Sequence, residues 1–162
     1  MTHLTDADIR HARLIASSMR PRDVEEVRAG WGREPYEAMR EALSASYYAR
    51  TMFQGFEPLV MYGLAPLTVL GGAARFWIFS SAAIDRHRFA FARASRRYLP
   101  ELFQHCTLAT NFIDLGDKPA LRWLLWMGGT CALLPEERGG RLFAQFILVD
   151  RTPAGGRRCQ QV

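Results

Sequence analysis

The sequence predicts a single α+β domain in which a central, mostly antiparallel sheet is flanked by helices. Three observations carry this prediction. Residues 5–44 place apolar side chains at helical spacing, and residues 47–79 read as three strands joined by turns. Residues 107–149 then read as strand, short helix, glycine stop and further strands. With 162 residues, 49% of them hydrophobic and 12% aromatic, the chain can fill one core. The domain is assigned to residues 1–150, and residues 151–162, rich in Arg, Gly and Gln without an apolar period, to a basic extended tail.

From the N-terminus, residues 5–29 read as helical, with Thr5 as N-cap and Asp6 and Asp8 in the first turn. Ala7, Ile9, Ala12, Leu14, Ile15 and Ala16 make the apolar face, and Pro21 divides the run so that a second helix covers Asp23 to Ala29. Gly30 to Arg33 read as a turn, and Pro35 opens a third helix through Ser44. Up to Glu41 eight acids balance seven arginines, the pattern of a solvated amphipathic surface, and no function is assigned to it.

Tyr47 to Phe53, Pro58 to Ala65 and Ala74 to Phe79 form the strand meander, with turns at Gln54–Glu57 and Gly71–Gly72. Ser80 and Ser81 then cap a long helix beginning near Ala82. Ile84, Phe91 and Tyr98 recur every seven residues as its buried stripe, with Arg86, Arg93 and Arg97 on nearly the opposite side. Thr107 to Asp114 alternates as a strand. A helix follows with Pro119 near its start, apolar residues at Ala120, Leu121, Trp123, Leu124 and Met127, and Gly128–Gly129 as the stop. Cys131 to Leu134 reads as a strand, Pro135 to Gly140 as a loop and Arg141 to Val149 as the last strand.

The net charge is +5, carried by twenty Arg and a single Lys, Lys118. Arginine suits bidentate contact with phosphate or carboxylate, although GC-rich coding produces the same bias. Six Arg against one Asp between residues 75 and 97 concentrate the excess, which allows non-specific, salt-sensitive contact with DNA. The longest charge-free stretch, Pro58 to Ala74, contains two Pro and three Gly and does not read as a membrane span. The N-terminus has neither the basic start nor the apolar run of a signal peptide, so a reducing cytoplasm is expected. Cys106, Cys131 and Cys159 form no paired motif and the four His are scattered, so no metal site is expected.

The stretch from Asp117 to Gly129 resembles the C-terminal signature of the GNAT acyltransferases, in which a strand leads into Asn-x-x-Ala-x-x-x-Tyr-x-x-x-Gly-Phe. Asp117 takes the Asn position, Ala120 and Gly128 match, and Leu124 and Gly129 replace Tyr and Phe. The resemblance implies a fold of this family from about residue 5 to Asp150. It also implies that Leu124 has no proton to give where the family tyrosine protonates the departing thiolate. The family's phosphate loop, Arg/Gln-x-x-Gly-x-Gly/Ala, falls on Ser80, Ser81, Ala82 and Ala83 with Arg86 close by, and contains no glycine. The strand before it has no carboxylate to act as base; Glu57 and Asp114 are the nearest acids, and Tyr62 and Tyr98 the phenols.

Met19 to Val27, Met61 to Leu67, Arg93 to Arg97 and Ala120 to Gly128 together are similar to a small family of internal virion or virion-associated proteins of tailed bacteriophages. This second resemblance implies a virion or assembly protein on a degenerate scaffold, without cofactor. It would act through contacts with phage structural proteins or its own copies, in the virion or the host bacterial cytoplasm. Trp123, Trp126, Arg93 and Arg97 are the expected contact surface, since aromatic and Arg side chains dominate interface hot spots. The alternative is an active acetyl-CoA-dependent N-acyltransferase. It predicts a V-shaped opening between the strands at 74–79 and 107–114, with the N–H groups of Ser81 to Ala83 pointing into it, and Asp117 and Ala120 beside the cofactor.

Overall fold

A computed structural model describes residues 1–68 and 72–150. The tail at 151–162, and Gly71 of the expected second turn, lie outside the described residues. The chain runs β1 (Thr2–Asp6), α1 (Ile9–Ser17), α2 (Pro21–Trp31), α3 (Pro35–Ala45), β2 (Tyr48–Gln54), β3 (Glu57–Pro66) and β4 (Ala73–Ser80). It continues with α4 (Ala83–Arg86), α5 (Arg88–Tyr98), a 3-10 turn (Leu99–Gln104), β5 (Leu108–Asp114) and α6 (Lys118–Trp126). The last elements are β6 (Thr130–Cys131), β7 (Glu136–Arg138) and β8 (Arg141–Val149). One sheet of order β1-β2-β3-β4-β5-β8-β6 results, with β7 also on β8, and every pairing is antiparallel except β4 with β5. This is the α+β architecture expected from the sequence.

Apolar side chains fill both sides of the sheet. Met61, Trp77 and Phe79 pack with Ala12, Ile15, Val27 and Met39 of α1–α3. On the other side Tyr62, Phe76, Phe91, Leu102, Leu124 and Phe146 form the larger cluster with α5, the 3-10 turn and α6. Close approach is part of this packing: a Cβ on Gly63 of β3 would stand 2.6 Å from both the Trp77 ring and the Tyr48 carbonyl.

Four expectations need correction. Thr2–Asp6 is a strand, paired from Thr2↔Gln54 to Asp6↔Arg50. Helix α1 begins only at Ile9, because the Asp8 carboxylate accepts the Arg10 N–H at 2.7 Å and ends the extended backbone there. Edge pairing to β2 outweighs the weak helical period of residues 5–8. Helix α2 continues through Gly30, which lies against the Phe143 ring, and stops at Gly32 with φ 64°. The long helix after Ala82 is broken at His87, where φ −115° and ψ 23° separate α4 from α5. Finally, of the expected 131–134 strand only Cys131 lies in β6, together with Thr130 before it, and the expected loop holds β7, which turns into β8 through Gly139 and Gly140 at φ 54° and 76°.

Candidate functional site

β4 and β5 pair only from Ala73↔Leu108 to Arg75↔Thr110 and then part. The V-shaped opening expected of an active transferase is therefore present. It forms a cleft of about 1180 Å³ between α2, β4, β5, α5 and α6. The Asn111 amide bridges its apex, donating to the Phe76 carbonyl at 2.9 Å. Main-chain groups two residues apart in a strand face the same edge, so the N–H and C=O of Ile78 point toward the cleft with no strand opposite. An extended chain carrying amides can pair with that edge.

At one end of the cleft, carboxylates converge. Asp23, Glu26 and Asp117 all line it, and one oxygen from each lies within 4.8 Å of the others. Asp23 is held by Arg20, whose Nε donates to Oδ2 at 2.6 Å, and Asp117 accepts the Ala120 N–H at 3.2 Å as the cap of α6. Glu26 has no such partner among the described residues. Burial above all, then the charges of Asp117, Asp114 and Asp23, push its carboxyl from 4.5 up to about 7, with Arg141 opposing. A carboxylate balanced near neutrality can take a proton from an incoming group. Three oxygens at this spacing also suit a hard divalent cation, and none of the three comes from a His or Cys.

The β4–α4 loop differs from an open phosphate cradle. The Ser81 N–H donates to the Leu59 carbonyl at 2.9 Å, the Ala82 N–H to the Ser18 carbonyl at 2.8 Å and the Ala83 N–H to Ser81 Oγ at 3.3 Å. Arg20 closes the loop from the side, donating to Asp85 at 2.6 Å and to the Ser80 hydroxyl at 3.3 Å. Arg86 donates instead to Glu57 at 2.6 Å, and His87 meets the same carboxylate at 3.0 Å. Ser80 reaches the cleft, whereas Ser81, Ala82, Ala83 and Arg86 do not line it.

The other sequence candidates separate clearly. Asp117, Ala120 and Leu124 reach the cleft wall, but Leu124 is 1% exposed and belongs to the core, packed where a Cβ on Gly129 would lie 2.9 Å away. Asp114 is buried in an ion pair with Arg141, and Tyr62 is buried in the core with its hydroxyl pKa driven far upward by burial. Neither lines the cleft, nor do Glu57 and Tyr98. Trp123 is half-buried against Phe91 and donates to Ser95 Oγ at 3.1 Å, whereas Trp126 is 44% exposed with the Arg96 guanidinium 4.1 Å above its ring. Arg93 and Arg97 are exposed on α5.

The residues missed from sequence are those of α2. Asp23, Glu26, Val27 and Gly30 follow the i, i+3, i+4, i+7 spacing of one helical face, and all four line the cleft. Two acids on the apolar face of a helix were the available signal, hidden by the balanced charge count of the whole N-terminal region.

Among solved structures, the chain is similar to the spermidine N-acetyltransferase of Vibrio cholerae, crystallised with CoA and spermine. The identity is 11%, the TM-score 0.62, and the match covers 91% of this chain and 95% of that one. The ribosomal-protein-S18-alanine N-acetyltransferase of Escherichia coli matches at 14% identity and TM-score 0.62 over 98% of this chain and 99% of the other. A GCN5-related N-acetyltransferase of Brucella melitensis matches at 12% identity and TM-score 0.61, covering 91% and 75%. No family model and no curated protein sequence matches the chain. The fold is that of the GNAT acetyltransferases. Nothing in these likenesses points to a phage virion.

Proposed function

We propose that the protein is an N-acyltransferase that moves an acyl group from an acyl-CoA thioester to a primary amine in the β4–β5 cleft. The observation that carries this reading is Glu26, a carboxyl with a pKa of about 7 inside a cleft formed by two parting strands. The fit to an acyl-CoA is in the cleft: the unpaired edge at Ile78 can hydrogen-bond the amides of its extended arm. When bound, that molecule supplies the acyl carbon as a thioester and leaves as a thiol.

The chain's own contribution is binding, orientation and proton movement. The carboxylates of Asp23, Glu26 and Asp117 favour an acceptor that arrives as an ammonium ion. Glu26 takes the proton that the nitrogen must lose before it forms the new C–N bond as the C–S bond breaks. Leu124 gives no proton, and no Tyr, Cys, His or Lys lines the cleft among the described residues. The departing sulfur therefore draws its proton from solvent or from the protonated Glu26. The similar structures bear names that specify amine acceptors, spermidine and a protein alanine, which supports the amine class without choosing between them.

The test is thiol release from acetyl-CoA at pH 8 with a panel of primary amines. Amine-dependent release above the uncatalysed rate is expected, and its absence across diamines, polyamines and N-terminal peptides rejects the reading.

A second reading, a virion-associated or assembly protein acting through contacts, has its motivation in Leu124 and in the exposed Trp126. It expects Trp126→Ala to remove the protein from an assembly while leaving its fold intact.

A further inference from the structure

The wall of the cleft on the α2 side carries charge of both signs, at opposite ends. Alternate strand residues share a face, so Arg75, Trp77 and Phe79 of β4 lie on the side that packs α1–α3, and Thr110, Phe112 and Asp114 of β5 lie on that side too. The carboxylates of Asp23, Glu26 and Asp117 gather at the Asp114 end. At the other end Arg75 stands beside Thr110. Arg75 lines the cleft, is exposed, and has no ion-pair partner among the described residues.

The other cleft arginines are already engaged or lie elsewhere. Arg20 and Arg22 lie against Asp23 at 2.6 and 3.5 Å, and Arg138 covers the Phe112 ring and donates to Glu136 at 2.7 Å. Arg88 and Arg122 belong to α5 and α6, which pack the opposite face of the sheet. Arg75 is therefore the guanidinium open to a ligand on the α2 side, while Val27, Trp31 and Phe79 give the cleft an apolar wall there. Thr110 and Asp114, four residues apart, mark about 13 Å along the strand. The Arg75 side chain covers part of that length, and the remainder suits a chain of about six bonds of 1.5 Å. An α-amino acid is too short to bridge the two ends. A diamine of the right length would set its second ammonium against Arg75, where like charges repel.

We propose that the amine acceptor is an amino carboxylate whose acid group stands about six bonds from its nitrogen, with the ammonium among Asp23, Glu26 and Asp117 and the carboxylate on the Arg75 guanidinium. The proposal rests on the acyl-transfer reading for the reaction, whereas binding of this molecule needs no acyl donor. In the reaction the ammonium loses one proton to become the nucleophile, the C–N bond forms as the C–S bond breaks, and the nitrogen sheds a second proton while the thiolate takes one up. The products are the N-acylated amino carboxylate and the free thiol.

The experiment measures thiol release from acetyl-CoA with 6-aminohexanoate, hexylamine, 1,6-diaminohexane and glycine, and the binding of the same four amines by calorimetry without acetyl-CoA. The full chain is compared with Arg75→Gln and Arg75→Lys, both checked for folding by circular dichroism. In the wild type, 6-aminohexanoate is expected to exceed hexylamine by about tenfold in kcat/KM and in affinity, the effect of one charge-assisted hydrogen-bonded pair, with the diamine and glycine weaker still. This preference should shrink to within about twofold in Arg75→Gln and return in part in Arg75→Lys. Equal use of 6-aminohexanoate and hexylamine, a diamine that outdoes both, or a preference that survives in Arg75→Gln overturns the proposal and leaves acyl transfer standing. Arg75-dependent binding of 6-aminohexanoate with no thiol release from any amine keeps the two-ended site and removes the acyl-transfer reading. Neither binding nor release with any of the four removes both.

Discussion

Replacing Glu26 by Gln should stabilise the protein, and only above a defined pH. The carboxyl titrates at an ordinary 4.5 in the unfolded chain and at about 7 in the folded one, because burial and three neighbouring acids disfavour its charge. At 1.36 kcal/mol per pH unit, that difference corresponds to about 3 kcal/mol. The sign follows from proton counting. Between pH 4.5 and 7 the folded state binds a proton that the unfolded state has lost, so the wild type loses stability as pH rises through this window. Above pH 7 both states are ionised and the full cost of about 3 kcal/mol persists; below pH 4.5 both are protonated and it vanishes. The amide of Gln stays neutral throughout. Urea denaturation of wild type and Glu26→Gln at pH 4, 6 and 8.5 should therefore give a difference near zero, then partial, then about 3 kcal/mol in favour of the variant. A difference independent of pH, or a variant less stable than wild type at pH 8.5, would refute the assignment of Glu26 as a half-buried, charge-crowded carboxyl.

Other substitutions test the frame around the cleft. Arg20→Ala leaves the Asp23 carboxylate, only 7% exposed, without its 2.6 Å partner and should cost about 2–3 kcal/mol in thermal or urea denaturation. Gly63→Ala forces a methyl into the Trp77 ring and the Tyr48 carbonyl and should cost about 1–3 kcal/mol, measurable as a lower urea midpoint. Trp123→Ala removes the ring packed on Phe91 and should cost about 3 kcal/mol, whereas Trp126→Ala at the surface should change stability by no more than about 1 kcal/mol.

Much of the fold was legible because periodicity and punctuation agreed. Pro35 opening α3, Gly55 at φ 59° turning β2 into β3, and Gly128 at φ 90° after α6 are local choices consistent with the global sheet. What was not legible depended on partners distant in sequence. Thr2–Asp6 is a strand only because β2 lies beside it, and Glu136–Arg138 only because β8 does. His87 breaks a long helix where its ring meets Glu57, thirty residues earlier. The site shows the same division. The strand splay and the places of Asp117 and Ala120 were implied by the family resemblance at 117–129, whereas Glu26 acquires its chemistry first from burial and then from acids that include Asp114 and Asp117, about ninety residues away. A single sequence displays the acids without their proximity. Likewise, the small residues Ser81 to Ala83 suggested an accessible loop, while the carbonyls of Leu59 and Ser18 decide where its N–H groups point.

The most direct measurement is the pH dependence of amine-dependent thiol release from acetyl-CoA, run in parallel on wild type and Glu26→Gln between pH 5.5 and 9. The wild-type kcat/KM is expected to rise with pH through a limb whose apparent pKa is about 7, as the Glu26 carboxyl ionises. In Glu26→Gln this limb should be lost, together with roughly 10²–10⁴-fold of the rate, the usual contribution of a general base. A variant that keeps the wild-type rate and the same limb would contradict proton transfer by Glu26 in this cleft.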